Sequence, residues 1–434
     1  MKQTKNRIFI GLSETSGYYG RLYEGLVQAG TDCFFAPIAP NKHQYGYRLK
    51  TNILVRACQA TIVRSASSAN ILLKALWRGS HECLKLCLLV WALFRFDIFI
   101  FNGGNCFWGV KDIWIYKLLK KRLVFICLGS LTRLPFTDGS FVTGIYTGKK
   151  PSIEDFVSES IKRQKKVDII EKYTDIFINL PSQAQLNRKK YVSLCNIGIP
   201  VGRMPEDTCH RKAKSAECTV KILHAPSYIG CRGTYEFKKI LDELKEEGLS
   251  FQYTEVSGVK NEELMKQLQE CDFLIDELYS DTPMATLAEE AAFYGKPSVV
   301  AGYFAEKYVN YYEKDLIPPS LYVTPENIKQ AIRKMIEDKE FREELGKKAQ
   351  LFVKKNCTSQ VVAEKISRVI AGDIPETWIM NPGGIDNLYG YGLSRESIKE
   401  IVSEIVKIGG KKKLEKANNS RALEAINRFS DMVR

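Results

Sequence analysis

Arg232, Gly233 and Thr234 stand together in the stretch ILHAPSYIGCRGT, where an apolar run gives way to a helical pattern. A guanidinium beside backbone N–H groups that a helix start leaves unpaired suits a diphosphate. Ser227 lies on the same loop. A second constellation is DELYSDTPMATLAEEAAFYGKPSVV, in which Thr282, Pro283, Met284, Ala285 and Thr286 read as the N-terminal turn of a helix carrying Glu289 and Glu290. A carboxylate one or two turns into such a helix can accept hydrogen bonds from both ribose hydroxyls while the helix N-terminus meets phosphate. A solvated acidic pair fits the same two residues.

Two loops of the first half have related chemistry. GLSETSGYYGR places Gly17, Tyr18 and Gly20 ahead of a helix, and ICLGSLTR places Gly129, Ser130 and Arg133 after an apolar run. Glycine lets backbone approach a phosphate or sugar closely. Neither loop is a GxGxxG, and no Walker lysine follows, so an ordinary strand-to-helix turn fits each equally well. His224 reads as a packed strand-end histidine before it reads as a catalyst. No CxxC pair, Cys/His spacing or DxD-type pair is present, so neither a metal nor a bound cofactor is expected.

Positioning these loops takes strands alternating with helices. The first half repeats that pair: Arg7 to Leu12 then Arg21 to Ala29, Phe96 to Asn102 then Val110 to Lys121, followed by Leu123 to Leu128 and Asp175 to Leu180. After a polar stretch containing Pro205 the alternation restarts with Val220 to Ala225, Thr234 to Glu247, Phe251 to Val256 and Asn261 to Glu270. Strands follow at Phe273 to Ile275, Ser298 to Ala301 and Leu321 to Val323, and Phe341 to Ile370 reads as two helices broken near Asn356. Such alternation implies parallel sheets covered on both faces. The expected architecture is α/β: two Rossmann-like domains facing across a cleft, at 1–205 and 219–370, with a linker at 206–218 and a helical extension at 371–434.

At 434 residues with 45% hydrophobic and 26% charged positions, the chain buries a full core and exceeds one ordinary domain. Disorder and fibres are excluded. Its twelve cysteines are scattered through apolar patterns and read as reduced thiols. The start, MKQTKNRIFIGLS, lacks a signal peptide's apolar region, and the apolar stretch Leu84 to Phe101 is broken by Lys85, Arg95 and Asp97. A cytoplasmic protein without a transmembrane helix is expected. Residues 1–210 carry 30 Lys and Arg against 15 Asp and Glu, while 211–434 carry 34 against 35. The basic half implies an anionic partner, and without a nucleic-acid reading motif an acidic membrane surface or phosphorylated lipid is the better candidate. Lys74, Arg78, Lys85 and Arg95, interleaved with Trp77, Trp91 and Phe94, suit peripheral contact at the inner membrane face; a buried helix with charged ends is the alternative.

Read in order, ILHAPS, CRGT, CDFLIDELY and EEAAFYGKPSVV resemble the donor-binding domain of retaining GT-B glycosyltransferases of family 4, the type that builds bacterial surface polysaccharides. The resemblance covers about residues 220 to 370 well and the first domain loosely. It implies a nucleotide-sugar substrate, UDP- or GDP-linked, and a saccharide or lipid-linked acceptor. By it Glu290 binds the donor ribose, Arg232 stands for the family's phosphate-binding lysine, and Gly233, Thr282, Pro283, Met284 and Ala285 line the donor. Three family positions differ: Ser227 stands where many members have an arginine, Thr282 replaces the first acid of the Glu-x7-Glu pair, beside Asp281, and Cys127-Leu128 replace the histidine ahead of Gly129-Ser130. A catalytically inactive GT-B partner or glycan-binding subunit, and a GT-B UDP-sugar epimerase, stay open as alternatives.

Overall fold

The computed structural model describes residues 7–39, 49–145, 147–202, 219–384 and 391–409. Six strands of the first half are β1 (Ile8–Ile10), β2 (Cys33–Phe35), β3 (Ile98–Asn102), β4 (Arg122–Ile126), β5 (Ile176–Asn179) and β6 (Tyr191–Ser193). The second half supplies β7 (Val220–His224), β8 (Phe251–Glu255), β9 (Phe273–Ile275), β10 (Ser298–Ala301) and β11 (Leu321–Val323), and β12 (Ile379–Met380) follows. They build a seven-stranded sheet ordered β12-β6-β5-β4-β3-β1-β2 and a five-stranded sheet ordered β11-β10-β9-β7-β8. All pairings are parallel except that of β12 with β6, where Ile379 faces Val192.

Strand alternation decides the two faces of the first sheet. Ile8, Ile10, Ile98, Ile100, Val124, Ile126, Ile176 and Ile178 enter one core, while Phe9, Phe99, Phe101, Phe125 and Phe177 enter the other. Successive side chains on a strand point to opposite faces, so both faces are apolar and both must be covered. The phenylalanines meet across strands, with ring centroids 5.5 Å apart for Phe9–Phe99, 6.2 Å for Phe101–Phe125 and 6.5 Å for Phe125–Phe177.

Chain order and packing disagree at the C-terminal side. The helix Lys339–Asn356 packs on Thr286–Phe293 in the second domain, but the next helix, Ser359–Ala371, crosses to lie on Tyr18–Gln28. Close approach there needs Gly25, where an added Cβ would sit 1.9 Å from the Ser359 carbonyl oxygen. Val362, Ala363, Ile366, Val369, Ile370 and Trp378 complete the first domain's core. By packing, therefore, the first domain reclaims 359–371, which the sequence boundary at 370 leaves almost wholly in the second. The extension does not stand apart either: β12 edges the first sheet, and Ile398, Ile401 and Val402 of the helix Arg395–Gly409 pack on Phe156, Val157 and Val167. The expected linker at 206–218 lies outside the described residues.

Candidate active site

Loops leaving the carboxyl ends of strands in both sheets line one cleft of about 970 Å³. Thr15, Ser16 and Tyr18 follow β1, Leu128 to Leu131 follow β4, Ala225 to Ser227 follow β7, and Asp276 and Glu277 follow β9. This is where an open parallel sheet presents ligand-binding loops, and here two sheets present them to each other.

Of the residues singled out from sequence, Tyr18, Gly129, Ser130, Arg133, Ser227, Arg232, Thr282, Ala285 and Glu290 line the cleft. Gly17, Gly20, Gly233, Pro283 and Met284 lie behind its surface. Gly233 has a supporting role: it heads the helix Thr234–Glu246 at φ 79°, and a Cβ there would come 2.3 Å from that of Leu278. At the Gly17–Gly20 turn the helix N-terminus already holds an anion. Glu14 accepts from the backbone N–H of Thr15 (2.7 Å), Tyr19 (3.2 Å) and Gly20 (2.8 Å), so that turn is capped from within.

The donor-side helix starts later than its sequence suggests. It spans Thr286–Phe293, with Ala285 as an N-cap that makes no side-chain cap, and the N–H of Thr282 already bonds Ser280 Oγ at 3.3 Å. Ala285 is extended, so the chain over 282–285 leads into the helix without forming its first turn. The groups turned to the cleft by the lining residues Thr286 and Leu287 belong to the true first turn, whose N–H groups have no carbonyl four residues back.

Glu289 and Glu290 are both buried, which removes the solvated-pair reading. Glu290, 3% exposed, forms an ion pair with Arg21 of the helix Tyr18–Gln28 and so joins the two domains. Glu289 faces away, accepts from Cys357 Sγ at 3.7 Å, and burial holds its carboxyl well above the usual carboxylate range. Arg232 pairs with Glu277, whose charge raises the guanidinium's already high pKa. Arg133 pairs across the cleft with Asp281, and burial pushes Asp281 up to about 6 against the opposing pull of Arg133. Asp276, also in the lining, is pushed up to about 7 by burial and by neighbouring Glu277. His224 is fully buried, bonded to the Ile275 carbonyl (2.9 Å) and Thr234 Oγ1 (2.9 Å), and burial lowers its pKa. A neutral ring donating from one nitrogen and accepting at the other satisfies both bonds, so the residue is structural.

Sequence reading missed Arg163. From the helix Ile153–Tyr173 it donates to the carbonyls of Ser130 (2.8 Å) and Arg133 (3.2 Å), to Asp138 Oδ2 (2.8 Å) and to Glu159 Oε1 (3.1 Å), and so fixes the Gly129–Arg133 turn. Arg21 and Glu14 were missed as well. No short motif marks any of the three, because their partners come from tertiary structure.

Two parallel sheets whose carboxyl ends face across one cleft define the GT-B fold. HepE of Anabaena, solved with UDP-glucose, shares it: TM-score 0.50 and 12% identity over 85% of this chain and 99% of that one. Sucrose-phosphate synthase of Thermosynechococcus elongatus gives 0.48 and 13% over 85% and 98%. No protein-family model matches the sequence, and no curated protein does.

Proposed function

We propose that the chain is a glycosyltransferase that moves a sugar from a UDP- or GDP-linked donor to a saccharide or lipid-linked saccharide in surface-glycan synthesis. The observation that carries this reading is the cleft, in which Arg232 and the uncapped start of the helix Thr286–Phe293 line the same wall of the second domain. Breaking a nucleotide-sugar bond leaves negative charge on the diphosphate, and these groups meet it. Same-face attack with retention needs no dedicated nucleophile and no metal in this arrangement. The UDP-glucose held by HepE fits the donor side of the proposal. Acceptors enter from the first domain, past Ser130 and Arg133.

A second reading, a catalytically inactive GT-B partner, is favoured by one observation: Glu290 and Arg232 are each committed to a protein partner, Arg21 and Glu277. Incubating the purified chain with a panel of nucleotide sugars and measuring nucleotide release separates the two. Release from one donor supports the transferase, and nucleotide binding without release from any donor supports the inactive partner.

A further inference from the structure

The helices Ile53–Ser67 and Ile71–Arg95 form a hairpin in which only part of the second helix is packed: Leu88, Leu89 and Ala92 are its buried residues. Its opposite side reads Leu72, Leu76, Gly79, Cys83, Leu86, Val90 and Phe94, spaced by three or four, with Cys87 beside Leu86. One helical stripe therefore carries no charge from Leu72 to Phe94, roughly 33 Å at 1.5 Å per residue. It is uncovered: Leu72 is 76% exposed, Leu76 60%, Leu86 52%, Val90 45% and Phe94 83%. A surface helix ordinarily turns polar residues outward, so among the described residues this face has no partner.

Charge says what covers it. From Asn52 to Arg95 the hairpin carries six basic residues and one acid, Glu82. Arg56, Arg64 and Arg78 are exposed. Lys85 and Trp91, which the sequence suggested as contact residues, turn inward: Lys85 pairs with Glu82 at 3.2 Å, and Trp91 packs edge-on against Phe34 at 5.1 Å.

Position links the hairpin to the cleft. Trp108, in the loop at the carboxyl end of β3, donates from Nε1 to Glu82 at 2.6 Å, and Lys85 lies 5.1 Å over its ring. Residues 82–85 are therefore level with the cleft edge of the sheet. Because the helix ends at Arg95, just before β3 begins, residues 71–81 overhang on the cleft side.

We infer that the hairpin Ile53–Arg95 seats the protein on an anionic lipid bilayer, with the stripe from Leu72 to Phe94 in the apolar boundary and the arginines among the headgroups. A long apolar face with basic flanks binds an interface by burying area and attracting anionic lipid. The acceptor then meets the cleft from the membrane, a consequence that rests on the glycosyltransferase reading; the docking itself does not.

Flotation of the full chain with phosphatidylcholine vesicles, with and without phosphatidylglycerol, tests this, with UDP and GDP titrations run in parallel. The parent floats at least about tenfold better with the anionic vesicles at low salt, and the excess shrinks at physiological salt. Leu76→Asp/Val90→Asp/Phe94→Asp alters only exposed positions; it loses about tenfold or more of that flotation with nucleotide binding unchanged. Arg56→Gln/Arg64→Gln/Arg78→Gln loses the salt-sensitive part. Equal flotation with neutral lipid, or an undiminished triple Asp variant, overturns the docking. So does a parent that sediments as a dimer which the Asp variant splits, without lipid binding, since the stripe then joins two copies. A parent that floats yet binds no nucleotide keeps the docking and sinks the transferase.

Discussion

Glu290 and Arg232 line the cleft, and each is already held by a protein partner, so their substitution reads out two effects at once. Removing one member of a buried ion pair strands the other and costs about 3–5 kcal/mol. Glu290→Ala should therefore lower the melting temperature by exposing Arg21 to that penalty and also weaken UDP or GDP binding, whereas Glu289→Ala, behind the cleft, should leave nucleotide binding nearly intact. Arg21→Met/Glu290→Ala should recover the stability without the nucleotide affinity. Recovery of both, by melting curves and calorimetry, would confine Glu290 to structure. For Arg232→Ala the expectation is about a 100-fold loss of turnover, if the guanidinium meets leaving-group charge. A variant of full activity would remove it from the reaction.

The acids give a pH dependence of definite sign. Asp276 titrates at about 7 and Asp281 at about 6, both raised by burial, so each is charged above its value and neutral below it. A diphosphate entering beside them favours the neutral forms. Nucleotide binding should take up protons near pH 7 and tighten as pH falls from 8 towards 6, and Asp276→Asn should flatten that slope. Calorimetry in two buffers of different ionisation enthalpy reads the uptake directly; release of protons would reverse the assignment. The raised acids also act on folding: the native state binds their protons more tightly than the unfolded chain, so their contribution to stability is greatest below about pH 4 and falls as pH rises through 6 and 7.

Among elements, the helix Ser359–Ala371 is the one whose place in the chain and place in the fold differ. Ile366 is fully buried in the core of the first domain. Ile366→Ala should cost about 2–5 kcal/mol and raise amide exchange in Tyr18–Gln28 while Thr234–Glu246 keeps its protection. The reverse pattern would return the helix to the second domain. Its periodicity was legible, as was the break near Asn356, but an amphipathic pattern does not say which sheet it covers. Parallel, doubly buried strands such as FDIFIFN and FLI stand out as apolar runs bounded by polar residues. β2 and β6 lack such boundaries, since CFF runs on into Ala36-Pro37 and YVS is followed at once by the apolar LCNIGIP, and β12 has only two residues. The start of Thr286–Phe293 was placed four residues early, at Thr282, whose N–H instead bonds back to Ser280.

Across the whole molecule, the two-domain α/β plan was readable because it repeats a local signal, and the cleft loops because each follows a strand. What joins the domains was not. Arg21 and Glu290 lie 269 residues apart in the chain, and Arg133 and Asp281 are likewise distant in sequence yet pair across the cleft, so no spacing announces them. The charge asymmetry raised the expectation of an anionic partner for the first domain, and the sequence already singled out Lys74 to Arg95; the fold showed which side of that helix is bare. Titration of the purified chain with UDP and with GDP tests the donor cleft most directly. One of the two should bind with a dissociation constant between about 1 μM and 1 mM, and Arg232→Ala should weaken it by about 10- to 100-fold while the chain stays folded. If neither nucleotide binds, or if the Arg232→Ala variant binds as tightly as the parent, the cleft between the two sheets is not a nucleotide-sugar site.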